Sequence, residues 1–462
     1  MKKYKVSPPL AQTANQYVFG DPRGRQDETI YLGRLAELGP SKKVYFDVSG
    51  EHVVAIVGKR GSGKSFTLGS IIESLCTRKP TTSVSKISGK RAILLFDTLN
   101  IYWTTIFKLS PESPSDALRD QSRTLKGWDI NPEDLEVQVW VPAGHRTPGM
   151  PKSFSDFRLN TADFTAADWG ALLSLDILQD RMGQLLNDAY QKVREDGWAG
   201  ASGRHDPKTI YSISDMLDCV RNDNEISQSY APETVRAVVQ QLTYWNRNQV
   251  FSELGTGLTD LLAPGKLSVL LTGSLSEELR AVLVAVLVRR IMRARSEASF
   301  DKKRAKIDPT LIAEEQRAIE GRLKESVPPT WVGVDEAQNV VPSGRGATCL
   351  SALIRLVKEG RNFGLSFIFT TQQPSAIESQ IMAQVDTLIV HKLAVQGDIE
   401  QVRRNLKSSE PSEVRHGSTD LPLSGLLRSL DMGQAIVSST DVERYFIIDV
   451  RPRVSAHGGF EA

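Results

Sequence analysis

The sequence predicts an α/β fold with a parallel-rich central sheet, a small N-terminal β module and a mostly helical insertion. Three observations carry this expectation. Short apolar, β-branched runs recur and end in polar residues, helical stretches separate them, and the first run passes directly into a glycine-rich turn. Continuous apolar strands alternating with amphipathic helices require a sheet covered on both faces. At roughly 100–200 residues per domain the chain of 462 residues allows three domains or one large α/β unit with insertions.

The elements follow in order. Residues 1–48 hold short extended candidates at Gln16–Phe19, 29–32 and 44–48, divided by Gly, Pro and Asp-rich turns, and read as a small β module. From His52 the run Val-Val-Ala-Ile-Val ends at Gly58. Phe66, Leu68, Ile71, Ile72 and Leu75 then recur at helical spacing. Residues 92–96 form a buried-strand run ending at Asp97, and residues 267–272 lead into a helical stretch at 276–295. Residues 332–334 end at Asp335 and Glu336. A helix at Thr348–Glu359 precedes a strand at 365–370, with another at 386–390. The core is therefore expected in two parts, residues 49–110 and 265–448. Between them, residues 111–264 carry one strand candidate at 137–141 and then largely helical sequence, including 166–195 and 232–247, too long for a simple crossover. Residues 301–325 read as a charged, solvated helix, and residues 449–462 as a C-terminal tail.

Composition excludes several classes. With 40% hydrophobic and 24% charged residues the chain is neither disordered nor collagen-like. Lys+Arg 57 against Asp+Glu 55 leaves a net charge of +2, so a nucleic-acid surface would have to be local. The basic segments 145–152 and 302–304 are weak candidates, read first as solvated surface. Cys76, Cys219 and Cys349 are widely spaced and the six histidines do not cluster, which indicates neither a disulfide scaffold nor a zinc site. His52, His391 and His457 read as core or surface histidines. No run of about 18 apolar residues is present, so no membrane span and a cytoplasmic location are expected.

The chemistry begins at Gly58-Lys59-Arg60-Gly61-Ser62-Gly63-Lys64-Ser65, followed by Phe66. It matches G-x-x-x-x-G-K-[ST] between a strand and a helix, the context in which that motif is specific. The glycines let backbone N–H groups curl round phosphates, Lys64 sets a cation against their oxygens, and Ser65 offers its hydroxyl to Mg²⁺. ATP and Mg²⁺ are the expected ligands, and hydrolysis of ATP to ADP and phosphate the expected reaction. Asp335, at the end of a distant strand, is expected in the metal shell. Glu336, with its longer side chain, is expected to polarise the attacking water. Gln372, with Gln373 as second choice, ends a third strand and is placed to report on the γ-phosphate. Arg361 reads either as a solvated helix-end charge or as an arginine supplied to a neighbouring subunit's site. Asp97 is either a structural cap or a member of the site.

In this order the elements resemble the HerA family of hexameric ATPases, within the HerA–FtsK group of P-loop motors with a RecA/FtsK-like core. The resemblance is carried by His52 through Ser65, the Leu-Leu-Phe-Asp97 strand, Val334-Asp335-Glu336-Ala337, Glu359-Gly-Arg361-Asn-Phe-Gly364, Thr371-Gln372-Gln373-Pro374-Ser375, and the ending from Val450-Arg451-Pro452-Arg453 to His457-Gly458-Gly459. It implies a homo-oligomeric ring, a hexamer, that drives double-stranded DNA as a translocase or helicase. It also implies a nuclease or other effector partner, including in bacterial antiviral defence. By motif position Lys64 and Ser65 match the family's nucleotide-binding pair, Glu336 its catalytic acid and Arg361 its arginine acting between subunits. The family's N-terminal β-barrel would fall, abbreviated, in residues 1–48, and its C-terminal tail, packed on a neighbouring subunit, in residues 451–459. A rival expectation is an ATP-dependent scaffold that organises and activates a separate effector without moving DNA.

Overall fold

The computed structural model describes residues 15–20, 27–36, 42–76, 79, 81–341, 348–406, 414–416, 419–442 and 445–459. The turn-rich segments expected after Phe19 and before Lys43 lie largely outside them. One large sheet organises these residues. In chain order its strands are β1 (Gln16–Phe19), β2 (Thr29–Leu35), β3 (Lys43–Asp47), β4 (Val53–Val57), β5 (Ser85–Lys86), β6 (Ala92–Asp97) and β7 (Glu136–Pro142). They continue with β8 (Ser155–Phe157), β9 (Lys266–Leu271), β10 (Thr330–Val334), β11 (Leu365–Thr371), β12 (Thr387–Val390), β13 (Gln434–Ser439) and β14 (Phe446–Val450). Their spatial order is β1-β3-β2-β14-β13-β12-β4-β11-β10-β6-β9-β7-β8, with β5 on β2. Every neighbouring pair from β12 to β8 is parallel. β13 and β14 then run antiparallel and join β2.

Burial on both faces explains the continuous apolar runs. Val53, Ala55 and Val57 of β4 face one core together with Ala92, Leu94 and Phe96 of β6, whereas Val54, Ile56, Ile93 and Leu95 face the other. Helix α1 (Lys64–Leu75) closes the second core with Leu68, Ile71 and Ile72. On the first, the long helix α2 (Glu277–Ile307) and, after α3 (Ala313–Glu325), helix α4 (Thr348–Glu359) supply Leu283, Val286, Leu353 and Leu356. The insertion adds Trp169, Leu185, Met216 and Leu242 to that same core.

Several elements differ from the sequence expectation for physical reasons. Residues 137–141 belong to the main sheet as part of β7, paired with β9. The expected helix at 166–195 breaks at Ser174, which is left-handed at φ 56°, into Ala166–Leu173 and Arg181–Gln191. β2 runs on to Leu35 because Gly33, Arg34 and Leu35 pair with β14, far away in sequence. The strands β13 and β14, whose apolar runs at 435–437 and 446–448 the sequence reading passed over, pair antiparallel with each other and attach to the core through β12. α2 extends well beyond residue 295, its charged end continuing as solvated helix.

In the single chain, Arg451 to Ala456 is buried, with Arg451 and Arg453 set against Glu73 of α1. Arg451 donates to Glu73 Oε1 at 2.8 Å, Ser74 Oγ at 2.6 Å and the Tyr31 carbonyl at 2.7 Å. Arg453 reaches Glu73 Oε2 at 3.4 Å and Thr105 Oγ1 at 2.8 Å. Glu73 also accepts the Val454 N–H at 2.8 Å, so a charge with no access to water is fully paired.

Candidate active site

The carboxyl ends of β4, β10 and β11 lie side by side, and the turns that follow them build the site. After β4 the chain cannot continue straight. Gly58 donates to the Thr371 carbonyl at 3.2 Å and Lys59 to the Lys392 carbonyl at 2.8 Å. A Cβ on Gly58 would stand 2.6 Å from Ser62 Oγ and 2.7 Å from His391 Cβ, so only glycine allows this packing. Gly63 then adopts φ 112° and opens α1 without a side-chain cap. The N–H groups of that first turn, and the positive end of the helix, are thus left for an anion. Ser62 Oγ donates to the Lys59 carbonyl at 2.7 Å, and Gly433 N–H to the Ser62 carbonyl at 3.3 Å, which fix the loop before any ligand arrives.

Lys64 points into this concavity. Its Nζ donates to the Lys59 carbonyl at 3.2 Å and stands 3.8 Å from Glu336 Oε1, with both side chains buried. Burial lowers the Lys64 pKa, while Glu336 and Asp335 pull it back up. An ammonium with so few donors satisfied is ready for further oxygens.

Asp335 and Glu336 meet it from the end of β10. Asp335 Oδ1 accepts from Thr370 Oγ1 at 2.7 Å and lies 3.3 Å from the Tyr102 hydroxyl, but its buried Oδ2 has no partner. Burial, reinforced by the nearby Asp97 charge, raises the Asp335 pKa to about 7. A cation at the orphaned oxygen would satisfy it and return the group to its charged form. Among the described residues no group of three or more His, Cys, Asp or Glu could hold a metal alone. A cation held by Ser65 and Asp335 would fill the rest of its shell with water and phosphate oxygens.

Glu336 occupies the left-handed region at φ 50°, ψ 60°, a conformation costing a non-glycine residue roughly 1–2 kcal/mol. Its N–H donates to Thr370 Oγ1 at 2.8 Å. Two amides then fix the carboxylate: Gln372 donates to Oε1 and Gln338 to Oε2, each at 2.7 Å. Gln338 is itself oriented by the Thr371 hydroxyl at 2.8 Å. A carboxylate has about four acceptor positions, so two remain for a water.

The structure thus brings Lys64, Asp335, Glu336 and Gln372 together around the loop from Gly58 to Ser65. Phe66, next along α1, packs edge-on against His457 of the tail, ring centroids 5.2 Å apart. Lys59, Arg60 and Gly61 are exposed at the mouth. Asp97 is a cap. It accepts the N–H groups of Leu99, Ile101 and Tyr102, and burial raises its pKa to about 6. Arg361 is not part of this constellation. It lies in the turn Gly360–Phe363 before β11, at the opposite end of the sheet, and pairs with Asp386. Sequence reasoning missed Gln338, Tyr102, Thr370 and His391. Gln338, two residues after Glu336, and Thr370, two residues before Gln372, carried a local signal, each lying at a strand end already singled out.

Comparison with known proteins decides the family. The family model described as the central domain of helicase HerA matches residues 30–291, more than half of the chain. The chain belongs to the HerA helicase family. The HerA-family chain is 22% identical over 466 residues to the DNA double-strand break repair helicase HerA of Pyrococcus furiosus, covering 99% of this chain and 75% of that protein. It is 26% identical over 187 residues to the HerA of Sulfolobus acidocaldarius, covering 40% of this chain and 32% of that one. In fold it resembles VirB4 of Thermoanaerobacter pseudethanolicus, with a TM-score of 0.50 at 13% identity over 91% of this chain and 96% of that one. This HerA-family protein is a nucleotide-binding P-loop ATPase. Among its described residues no helix is long and apolar enough to cross a membrane.

Proposed function

We propose that the chain is an ATP-driven motor that assembles as a ring, a hexamer, and acts on double-stranded DNA. The observation that carries this reading is the buried constellation of Lys64, Asp335 and Glu336 facing an uncapped helix start, with an acid already oriented by two amides. The N–H groups of the Gly58–Ser65 loop would bind the β- and γ-phosphates, and Lys64 would exchange the Lys59 carbonyl for a phosphate oxygen. A magnesium ion would be held by Ser65 and Asp335 and would neutralise part of the phosphate charge. Glu336 would accept a proton from the attacking water at one of its free lone pairs, while Gln372 and Gln338 keep the carboxylate from swinging away.

The placement of Arg361 supports assembly. At the far end of the sheet from its own phosphate loop it cannot serve that loop, yet half of its side chain is exposed for another copy. An arginine supplied between subunits is worth about 10³–10⁵ in rate, which would make turnover depend on the ring. The relatives' printed role in DNA double-strand break repair suggests the substrate. On the family resemblance, the ring works with a nuclease or other effector subunit, in bacterial anti-phage defence.

The test is Glu336→Gln, which keeps the side chain's shape and removes its basicity. ATP-analogue binding should stay near that of the parent, and turnover should fall by about 10² or more, since the loop binds while the acid activates water. Parent-like turnover would remove Glu336 from this role.

A further inference from the structure

Four groups converge on the Asp386 carboxylate at the amino edge of the sheet. Oδ2 accepts the Val53 N–H at 2.8 Å and a guanidinium N–H of Arg361. Oδ1 accepts the Thr387 hydroxyl at 2.9 Å and faces Nδ1 of His52 at 3.3 Å. The Asp386 N–H donates in turn to the Val53 carbonyl at 3.0 Å, so backbone and side chain both bind the first residue of β4. The acid's side chain is 10% exposed and the arginine's 50%. One partner is therefore immobile, and the other reaches from it into solvent.

That asymmetry separates this pair from an ordinary surface ion pair, in which two mobile side chains gain little. The turn carrying Arg361 is also fixed: Arg295 of α2 donates to the Phe363 carbonyl at 2.8 Å and Ser299 to the Asn362 carbonyl at 3.3 Å. With its backbone held by α2 and one edge of its guanidinium held by Asp386, Arg361 keeps the rest of its planar fork for an external oxyanion. β12 adds a connection to the subunit's own site. Asp386 directly precedes this strand, and His391, which directly follows it, contacts Thr67 Oγ1 of α1 at 2.8 Å.

We propose that Asp386 is a positioning residue for Arg361, fixing the direction in which the guanidinium is presented to the nucleotide of a second copy of this chain. The inference rests on the role between subunits proposed above for Arg361. Asp386 touches no substrate. It acts through the arginine alone, and its removal would leave nucleotide binding intact.

The experiment uses the full chain carrying Asp386→Asn, Arg361→Ala or both, and follows ATP hydrolysis, ATP-analogue binding and assembly state. Asp386→Asn keeps an oxygen for the Val53 N–H and removes the charge that aligns the guanidinium. The expected result is a fall of about 10- to 100-fold in kcat, the scale of a misplaced group, with KM and analogue affinity unchanged. The double variant should be no slower than Arg361→Ala alone. Mixing Asp386→Asn chains with Lys64→Ala chains should restore turnover, because an intact phosphate loop then meets a correctly held arginine from the other chain; a merely damaged fold would not be rescued. Normal or raised kcat in Asp386→Asn, an added loss in the double variant, or no rescue in mixed assemblies overturns the assignment to Asp386. Unchanged turnover in Arg361→Ala overturns instead the reading on which it rests. If Asp386→Asn does not fold, Asp386→Glu keeps the charge, moves it by one methylene and carries the same expectations.

Discussion

His391 shows how one side chain binds the phosphate loop to the sheet. Its Nδ1 lies 2.7 Å from the Gln434 carbonyl, which can only accept, so Nδ1 carries the proton and Nε2 accepts from the Thr67 hydroxyl. The neutral ring is fully used, and burial lowers its pKa to about 4. The unfolded chain, titrating near 6.5, therefore takes up this proton first as the pH falls. The contribution to stability is complete above about pH 6.5, is lost toward pH 4, and amounts to at most about 3 kcal/mol. Denaturant unfolding at pH 7, 6 and 5 should show a slope that flattens by one proton in His391→Gln. An unchanged slope would place the titration elsewhere. From sequence His391 read as a core or surface histidine; that it sits against the phosphate loop depended on Gln434 and Thr67, which no spacing connects to it.

At the scale of the element, α1 was legible as a helix from its apolar spacing, but not in what it buries. Thr67, Ser70, Glu73 and Ser74 would normally mark a solvent face, and all four are buried. The face is polar because Thr67 meets His391 and the rest meets the tail, whose Arg451 and Arg453 bring two guanidinium groups to Glu73. Removing the acid would leave both cations buried and uncompensated. Glu73→Gln should therefore cost about 3–5 kcal/mol, read as a fall in melting temperature and in denaturant midpoint. A loss below about 1 kcal/mol would show that water reaches the cluster. The same contact seats the C-terminal segment on the helix that starts at the phosphate loop.

For the whole molecule, the near-balanced charge gives no general affinity for polyanions, so DNA binding by the proposed motor must come from a local surface. Duplex DNA should raise the ATPase rate, and binding should weaken steeply between low and physiological salt as counterions are released. Hydrolysis indifferent to DNA but stimulated by a partner protein would favour the scaffold reading. Mixing Arg361→Ala with Lys64→Ala chains should restore part of the turnover lost in each alone, if the arginine acts across subunits. No recovery in verified mixed assemblies would count against it.

The sequence by itself determined the phosphate loop, the strand ending in Asp335 and Glu336, the parallel-rich core and the family, because each is written in residues that are neighbours along the chain. Gly58 to Ser65 specifies a backbone path, and an apolar run specifies a strand buried on both faces. Only the tertiary structure decided that Gln338 shares Glu336 with Gln372, that the tail locks onto Glu73, that β7 extends the main sheet, and that Arg361 stands apart from its own loop on Asp386. Those depend on strand order and on contacts between separate elements, 25 residues apart for Arg361 and Asp386 and 378 for Arg451 and Glu73, where direction and distance in space, not spacing along the chain, select the partner.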